Sequence, residues 1–356
     1  MQMYQHVPYV SNADIYRAYI QSTDKKEVEM KNVLCSQSGR YYELHNEIKK
    51  AIYGLIVHAF VVEPLQDGVF SRTGEEVAIK VYAESRLRSL AGKSSENPAV
   101  EIAIMQHIGH EHPNLMGQIE CCVDKKRNVY SIMPFYSGIE LFDHIFKNGR
   151  LEESNVQEIL REIIHGMISL HNAGIAHLDM SLENILYDDE DSSCVIIDYG
   201  MCAPLEVDQS GRLKLIKAKK CGKSNYMAPE LMANSKELID PTKCDMWSIG
   251  ICLLYLLLGF PPLEGASHND VRYKYIVQGR LRDLLHHWGI HLSDCVINLV
   301  ENLLREDPRE RLSAEQVLHH PFMTNALNKM FTIANDDRSI DSDMELTTNH
   351  GASTQQ

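Results

Sequence analysis

The chain has 356 residues, 44% of them hydrophobic, with 49 acidic against 35 basic side chains and a formal net charge of −14. That length suits one large two-lobed domain or two ordinary ones, and the apolar content argues against global disorder. The acidic balance disfavours non-specific binding to nucleic acid or to an anionic membrane.

Nine cysteines are scattered without a C-x-x-C pair, so zinc is not indicated and small buried thiols are the ordinary reading. The start, MQMYQHVPYV, lacks the apolar core of a signal peptide. The longest apolar stretch, Ile249 to Leu263, is too short for a bilayer and runs into Pro261-Pro262. These features predict a soluble protein of a reducing, cytoplasmic compartment.

Residues 1–50 are polar and carry no clear core pattern, which predicts an N-terminal extension, a partly ordered leader. The alternative is an arm docked through Tyr4, Tyr9, Tyr16, Tyr19, Tyr41 and Tyr42. From Leu55 the pattern becomes strand-like, in LIVHAFVV and then, after a turn at Arg72-Thr73-Gly74, in EEVAIKV. Val100, Ile104 and Ile108 recur at helical spacing around Glu101, and Val129 to Met133 reads as another strand. Further on, Val156, Ile159, Leu160, Ile163, Ile164 and Met167 hold one helical face, which Gly174 ends. Trp247 to Leu258 fits a helix buried on all sides. Shorter helices are predicted over Leu292–Leu304 and Ala314–Leu318. Past Phe322 the pattern is lost, and residues 324–356 read as an acidic, disordered tail. That tail is not a basic amphipathic helix, so no calmodulin-binding segment is evident.

Two carboxylates carry the chemistry. Asp179 lies in HLDMSLEN (His177 to Asn184), and Asp198 opens DYG behind the apolar run Val195-Ile196-Ile197. Asp198 and Asn184 are hard oxygen donors of the kind magnesium accepts beside water and phosphate. Asp179 is left to take a proton from an attacking hydroxyl. That is the minimum equipment for phosphoryl transfer.

Other segments follow in order: VAIK ending at Lys80, EIAIM opening at Glu101, HPN at His112 to Asn114, YMAPE at Tyr226 to Glu230, DMWSIG at Asp245 to Gly250, and Arg311 after DPRE. Together they resemble the signature set of protein kinases, over roughly residues 50–323. LEN after Asp179, with ELFDHI and HPFM, is nearest the serine/threonine enzymes of the calcium/calmodulin-dependent group. The resemblance implies an α+β fold in two lobes, a small β-rich one and a larger helical one, with a kinase domain over 51–323.

It also implies roles. Lys80 grips the α- and β-phosphates of ATP and pairs with Glu101; Asp179 is the base; Asn184 and Asp198 hold Mg²⁺. Leu55, Ala78, Met133 and Leu186 would enclose adenine. The Pro134 carbonyl and the Tyr136 N–H would bond its edge, and Glu140 the ribose. His177, Asp245 and the Glu230–Arg311 pair are architecture. Protein substrates are the implied partners.

Three departures qualify the resemblance. Bulky Ile56, His58 and Val61 stand about where a glycine-rich phosphate loop belongs, which predicts weaker ATP binding. Leu178 replaces the arginine beside the catalytic aspartate, so activity is predicted not to require phosphorylation between Met201 and Asn225. Ser181 replaces a lysine two residues past Asp179, while Lys223 sits where serine/threonine kinases carry threonine. A positional swap of cation and hydroxyl follows as one hypothesis; a solvated loop lysine is the other. Lys223 also belongs to a basic run with Arg212, Lys214, Lys217, Lys219 and Lys220, read either as a solvated loop or as a surface for acidic substrates. Tyr255, in place of a substrate-binding acid, disfavours arginine-directed specificity, and Met201 favours serine over threonine. The rival to an active enzyme is a pseudokinase scaffold; a small-molecule phosphotransferase is a weaker third, because YMAPE shapes a peptide groove.

Overall fold

Alternation around Lys80 organises the first lobe. In the computed structural model, which describes residues 11–21, 28–233 and 237–324, strand β5 (Val69–Tyr82) turns Val77 and Ile79 into a β-barrel interior. Ala78 lies on the other face and packs toward the second lobe. The period of two along a strand thus puts Lys80 on the cleft side.

The barrel has seven strands: β1 (Ser11–Gln21), β2 (Val28–Ser36), β3 (Tyr41–Ala51), β4 (Gly54–Pro64), β5, β6 (Glu120–Val123) and β7 (Val129–Pro134). Its order is β1-β2-β3-β4-β5-β7-β6, and β1 closes it by running parallel to β6. The structure therefore differs from the leader expected over residues 1–50. Residues 11–21 and 28–51 build three barrel strands, and Tyr42 is fully buried inside. Tyr16 and Tyr19 face solvent; Tyr4 and Tyr9 lie outside the described residues.

Polar groups that hid these strands are satisfied in pairs. Glu120 accepts from Tyr42 Oη at 2.5 Å and from Ser36 Oγ at 2.6 Å. The fully buried Glu43 receives a two-pronged bond from Arg72, both contacts 2.7 Å. Arg72-Thr73-Gly74 is not the turn expected from sequence. It forms a bulge inside β5, where Gly74 takes φ +95° and Thr73 Oγ1 donates to the Val61 carbonyl. The chain reverses earlier, at Gln66–Gly68.

Helices α1 (Glu84–Leu90) and α2 (Pro98–Ile108) flank the barrel, and Asn97 caps α2 by accepting from Ala99 N at 3.0 Å. The second lobe is helical. A short strand β8 (Ile139–Glu140) leads into α3 (Leu141–Asn148) and α4 (Glu153–Asn172). Small strands β9 (Ile175–Ala176), β10 (Ile185–Asp188), β11 (Ser193–Ile196) and β12 (Ala203–Pro204) carry the loops of the cleft floor. After β13 (Ile216–Lys217), α5 (Pro229–Met232) and β14 (Leu238–Ile239) comes α6 (Pro241–Leu258). It is long and apolar enough to pass for a membrane span, yet 89% of it is buried in the lobe; it is a core helix. Helices α7 (Val271–Val277), α8 (Leu281–His287), α9 (Asp294–Leu303) and α10 (Ala314–Leu318) complete the lobe. The acidic tail expected beyond residue 324 lies outside the described residues.

Arg311 locks this lobe. It is 1% exposed, bonds Glu230 at 2.8 and 3.2 Å, and also donates to the carbonyls of Lys243 and Arg305. Its guanidinium lies 5.2 Å from the Trp247 ring centroid. Every donor is used, which is the condition for a buried ion pair to be tolerated.

Candidate active site

The loop after β9 is shaped by a buried acid. Asp245, on α6 and fully buried, accepts from the backbone N–H groups of His177 (2.9 Å) and Leu178 (2.7 Å) and from His171 Nε2 (2.9 Å). These bonds hold Leu178 in a left-handed conformation, φ +62°, which an L-residue adopts at a cost. Leu178 itself packs into the apolar core. His177 Nδ1 accepts from Asp179 N at 3.3 Å, so its Nε2 carries the proton and donates to the Ile197 carbonyl at 3.2 Å. His177 is thus a strut between loop and DYG turn.

That strut presents Asp179. Asn184 Nδ2 donates to Asp179 Oδ2 at 3.0 Å, and the Lys223 backbone N–H to Oδ1 at 3.2 Å. Burial raises the Asp179 carboxyl above its ordinary range, against the opposing pull of Lys223, His177 and Asn184. Asp198 stands near enough to add to that rise. Its own backbone is left-handed, φ +67°. The Ile197 N–H bonds the Asn184 carbonyl at 3.0 Å, tying the two metal-candidate segments together.

Lys80 reaches the same place from the other lobe. Its Nζ donates to Glu101 Oε1 at 2.5 Å, and Tyr82 Oη donates to Glu101 Oε2 at 3.0 Å. Burial pulls the Lys80 ammonium down, but Glu101 and Asp198 outweigh it and hold the pKa above the usual lysine value. Lys80, Asp179 and Asp198 therefore share one cleft.

The adenine-side residues are brought together, with one correction. Ala78 stands directly opposite Met133, and both join a core cluster against which Ile56, Tyr136 and Leu186 pack. Leu186 pairs with Glu140 across β8 and β10, and Pro134 is opposite Val77. Leu55 does not join them. It pairs with Val81, on the face turned from the cleft, whereas Ile56 pairs with Lys80 and His58 with Ala78. A one-residue error in register exchanges the faces of a strand, so Ile56 takes the place expected of Leu55.

The same register relocates the phosphate cover. Ile56 and His58 lie within β4, and the β3–β4 reversal falls at Ala51 to Gly54. Its tip is tied sideways: Tyr53 is 5% exposed among Tyr82, Ile102 and Cys121, and its Oη donates to the Glu96 carbonyl at 2.9 Å. Gly54 sits so close to β5 that a Cβ would lie 2.0 Å from the Val81 carbonyl oxygen. A glycine survives here for close strand approach and not to free amides for phosphate.

Several site residues give no sequence signal. Glu96 packs against Gly200 of the DYG turn, and the Asn97 N–H bonds the Gly200 carbonyl at 2.8 Å. Burial, then the charge of Asp198, pushes the Glu96 carboxyl up to about 7. Lys49, on β3, forms an ion pair with Glu140. The His58 ring lies 4.5 Å from that of Phe135, and its Nε2 is 2.7 Å from Glu76. Lys223 Nζ lies 2.7 Å from Ser181 Oγ and 3.4 Å from Asn184 Oδ1.

A family model described as the protein kinase domain matches residues 66–323. The chain belongs to the protein kinase family. Among its curated relatives is calcium-dependent protein kinase 12 of Arabidopsis thaliana, 31% identical over 259 residues, covering 71% of this chain and 49% of the relative. Maternal embryonic leucine zipper kinase of Danio rerio is 31% identical over 277 residues, 76% of this chain and 38% of the relative. Its Xenopus tropicalis counterpart is 28% identical over 284 residues, 80% and 39%. The chain thus spans less than half the length of these relatives. The kinase match begins inside the barrel and leaves β1 to β4 outside it.

Proposed function

We propose that this kinase transfers the γ-phosphate of ATP to serine, and second to threonine, hydroxyls of protein substrates. One observation carries the reading: Lys80 with Glu101, Asp198 and Asp179 converge on a single cleft from two lobes. Asp179 keeps oxygen lone pairs free beside its two hydrogen bonds, so it can orient the substrate hydroxyl and accept its proton. The hydroxyl oxygen bonds to the γ-phosphorus as the bond to the ADP oxygen breaks. Lys80 holds the phosphates, and Glu101 holds Lys80. Asp198 and Asn184 supply the hard oxygen donors that suit magnesium, which when bound neutralises phosphate charge. Cys121, Cys194, Cys244 and Cys252 are free thiols buried in the fold, in keeping with a reducing, cytoplasmic setting.

Leu178 lies in the apolar core, and no arginine precedes Asp179 to receive a phosphate. Full rate is therefore expected after treatment with a broad phosphatase; a large loss would count against phosphate-independent activity. Tyr255 is 7% exposed and stacks on Tyr226, which supports a preference for substrates other than arginine-rich ones.

The decisive test is radiolabelled phosphate transfer to a generic protein, wild type beside Asp179→Asn. The variant should lose about 10²–10⁴ in turnover. Equal, negligible transfer by both proteins would instead establish the scaffold reading.

A further inference from the structure

Lys223 is held in a way that solvation does not explain. Its ammonium donates to Ser181 Oγ at 2.7 Å and to Asn184 Oδ1 at 3.4 Å, and its backbone N–H donates to Asp179 Oδ1 at 3.2 Å. Ser181 is fully buried. Both ammonium acceptors are neutral, a hydroxyl and a carboxamide. Lys80 is already matched by Glu101 at 2.5 Å, and Lys49 by Glu140. Lys223 makes no ion pair within 4 Å among the described residues: Asp179 feels its charge, but the ammonium is fixed in place by neutral groups alone.

Phosphoryl transfer needs such a charge. Negative charge spreads over the equatorial oxygens of the moving group, and a cation aimed there in advance stabilises the transition state more than the ground state. The place for it is beside the proton acceptor, and Lys223 adjoins Asp179. We propose that Lys223 is a catalytic residue that meets a γ-phosphoryl oxygen during transfer, with Ser181 as its positioning residue. This rests on the kinase reading above and deepens it.

The backbone around Lys223 extends the inference to control. Gly222 has φ +83°, and a Cβ there would come within 2.8 Å of the Leu178 carbonyl oxygen and 3.1 Å of Asp179 Oδ1. Glycine thus lets the segment before YMAPE lie directly on the catalytic loop. Met201 Sδ, just past DYG, accepts from the Gly222 N–H at 3.1 Å. A small pocket beside Asp179, on the side facing α6, is lined jointly by loop and segment, through Leu178, Cys221, Gly222, Lys223 and Tyr226, and by Ser248 of α6. Because the transfer cation rides on this segment, docking the segment delivers the cation. Docking here rests on glycine packing and the Met201 contact, with no phosphate required.

The test compares Lys223→Met, which keeps the apolar stem, with Lys223→Arg and the exchange variant Ser181→Lys/Lys223→Ser. Turnover, KM for ATP and melting temperature are measured for each, with Asp179→Asn alongside. Lys223→Met should lose about a hundredfold or more in turnover, with KM for ATP within about threefold because Lys80 is untouched. Arginine, or lysine returned from position 181, should recover at least about tenfold of that loss. The proposal is overturned if Lys223→Met keeps more than half of the wild-type turnover. It is equally overturned if turnover, KM and melting temperature fall together and neither cationic variant recovers rate, the pattern of a structural lesion. A wild type no better than Asp179→Asn would fail the kinase reading itself, a separate outcome.

Discussion

The catalytic loop and the β3–β4 hairpin face each other across one cleft and are built on different terms. The loop is suspended from a buried carboxylate: Asp245 takes three hydrogen bonds and sets the backbone that presents Asp179. The hairpin is anchored at its tip by a buried side chain, Tyr53, which packs against Ile102 of α2 and bonds the Glu96 carbonyl. One region holds Asp179 and Asn184 in place for transfer, and the other is a fixed turn where a flexible, amide-rich cover is usual. Turnover and nucleotide affinity should therefore be separable in this kinase more readily than where a loose glycine loop serves both.

The largest effect should come from cutting the suspension. Asp245→Ala leaves two buried N–H groups and His171 without their acceptor. Stability should fall by about 3–5 kcal/mol, as for removal of one member of a buried charged network. Denaturant unfolding measures it, and turnover should fall with stability. A variant as stable as wild type would show that the loop holds its shape unaided.

Next in size is a pH effect at the point where the two regions meet. Glu96 titrates at about 7 in the folded protein, against an ordinary glutamate value of 4.5. The folded state therefore binds more protons than the unfolded chain between those values, and stability declines as pH rises through that window. Glu96→Gln should flatten the decline in protein kept metal-free with chelator. Parallel melting curves from pH 5 to 8 for wild type and variant would assign the effect to another group.

Removing the tip's hydrogen bond is a smaller perturbation. Tyr53→Phe keeps the buried ring and loses the bond to the Glu96 carbonyl, at a cost of about 1 kcal/mol. If the tip stays clear of the nucleotide, KM for ATP should hold within about twofold, since little uniform binding is lost. A KM shift larger than the stability loss accounts for would place the hairpin over the phosphates after all.

The two regions also differ in how far the sequence discloses them. Chemistry dictates residue types at Lys80, Glu101, Asp179, Asn184 and Asp198, and those types are recognisable without a structure. Loop contacts such as Asp245 and Glu230–Arg311 follow for the same reason. Face and register do not. Leu55 and Ile56 are both aliphatic and adjacent, and only the pairing of Ile56 with Lys80 shows which enters the cleft. The first three strands escape notice because the barrel buries Glu43 with Arg72 and Tyr42 with Glu120, so apolar alternation is broken where it would otherwise announce a strand. The closure of β1 onto the barrel is also distant in sequence, as Ser11 with Cys122 shows. Glu96 and Lys49 acquire meaning only when the lobes meet.

The finest test of the hairpin concerns its outer edge. Lys49 of β3 pairs with Glu140, the acid expected to bind ribose, and more than half of the lysine side chain is exposed. A nucleotide that takes the Glu140 oxygen held by Lys49 must displace this ammonium, and the pair then opposes binding by whatever it is worth. For an exposed pair that is about 0–1 kcal/mol, or at most about fivefold in affinity. Lys49→Ala should therefore tighten Mg²⁺–ATP binding slightly and leave turnover unchanged. Added salt weakens the exposed pair, so the advantage of the variant should shrink as ionic strength rises. Binding weakened about tenfold in Lys49→Ala would carry the opposite meaning: the lysine would belong to the nucleotide, and β3 would supply by a side chain the phosphate contact that its tied hairpin withholds.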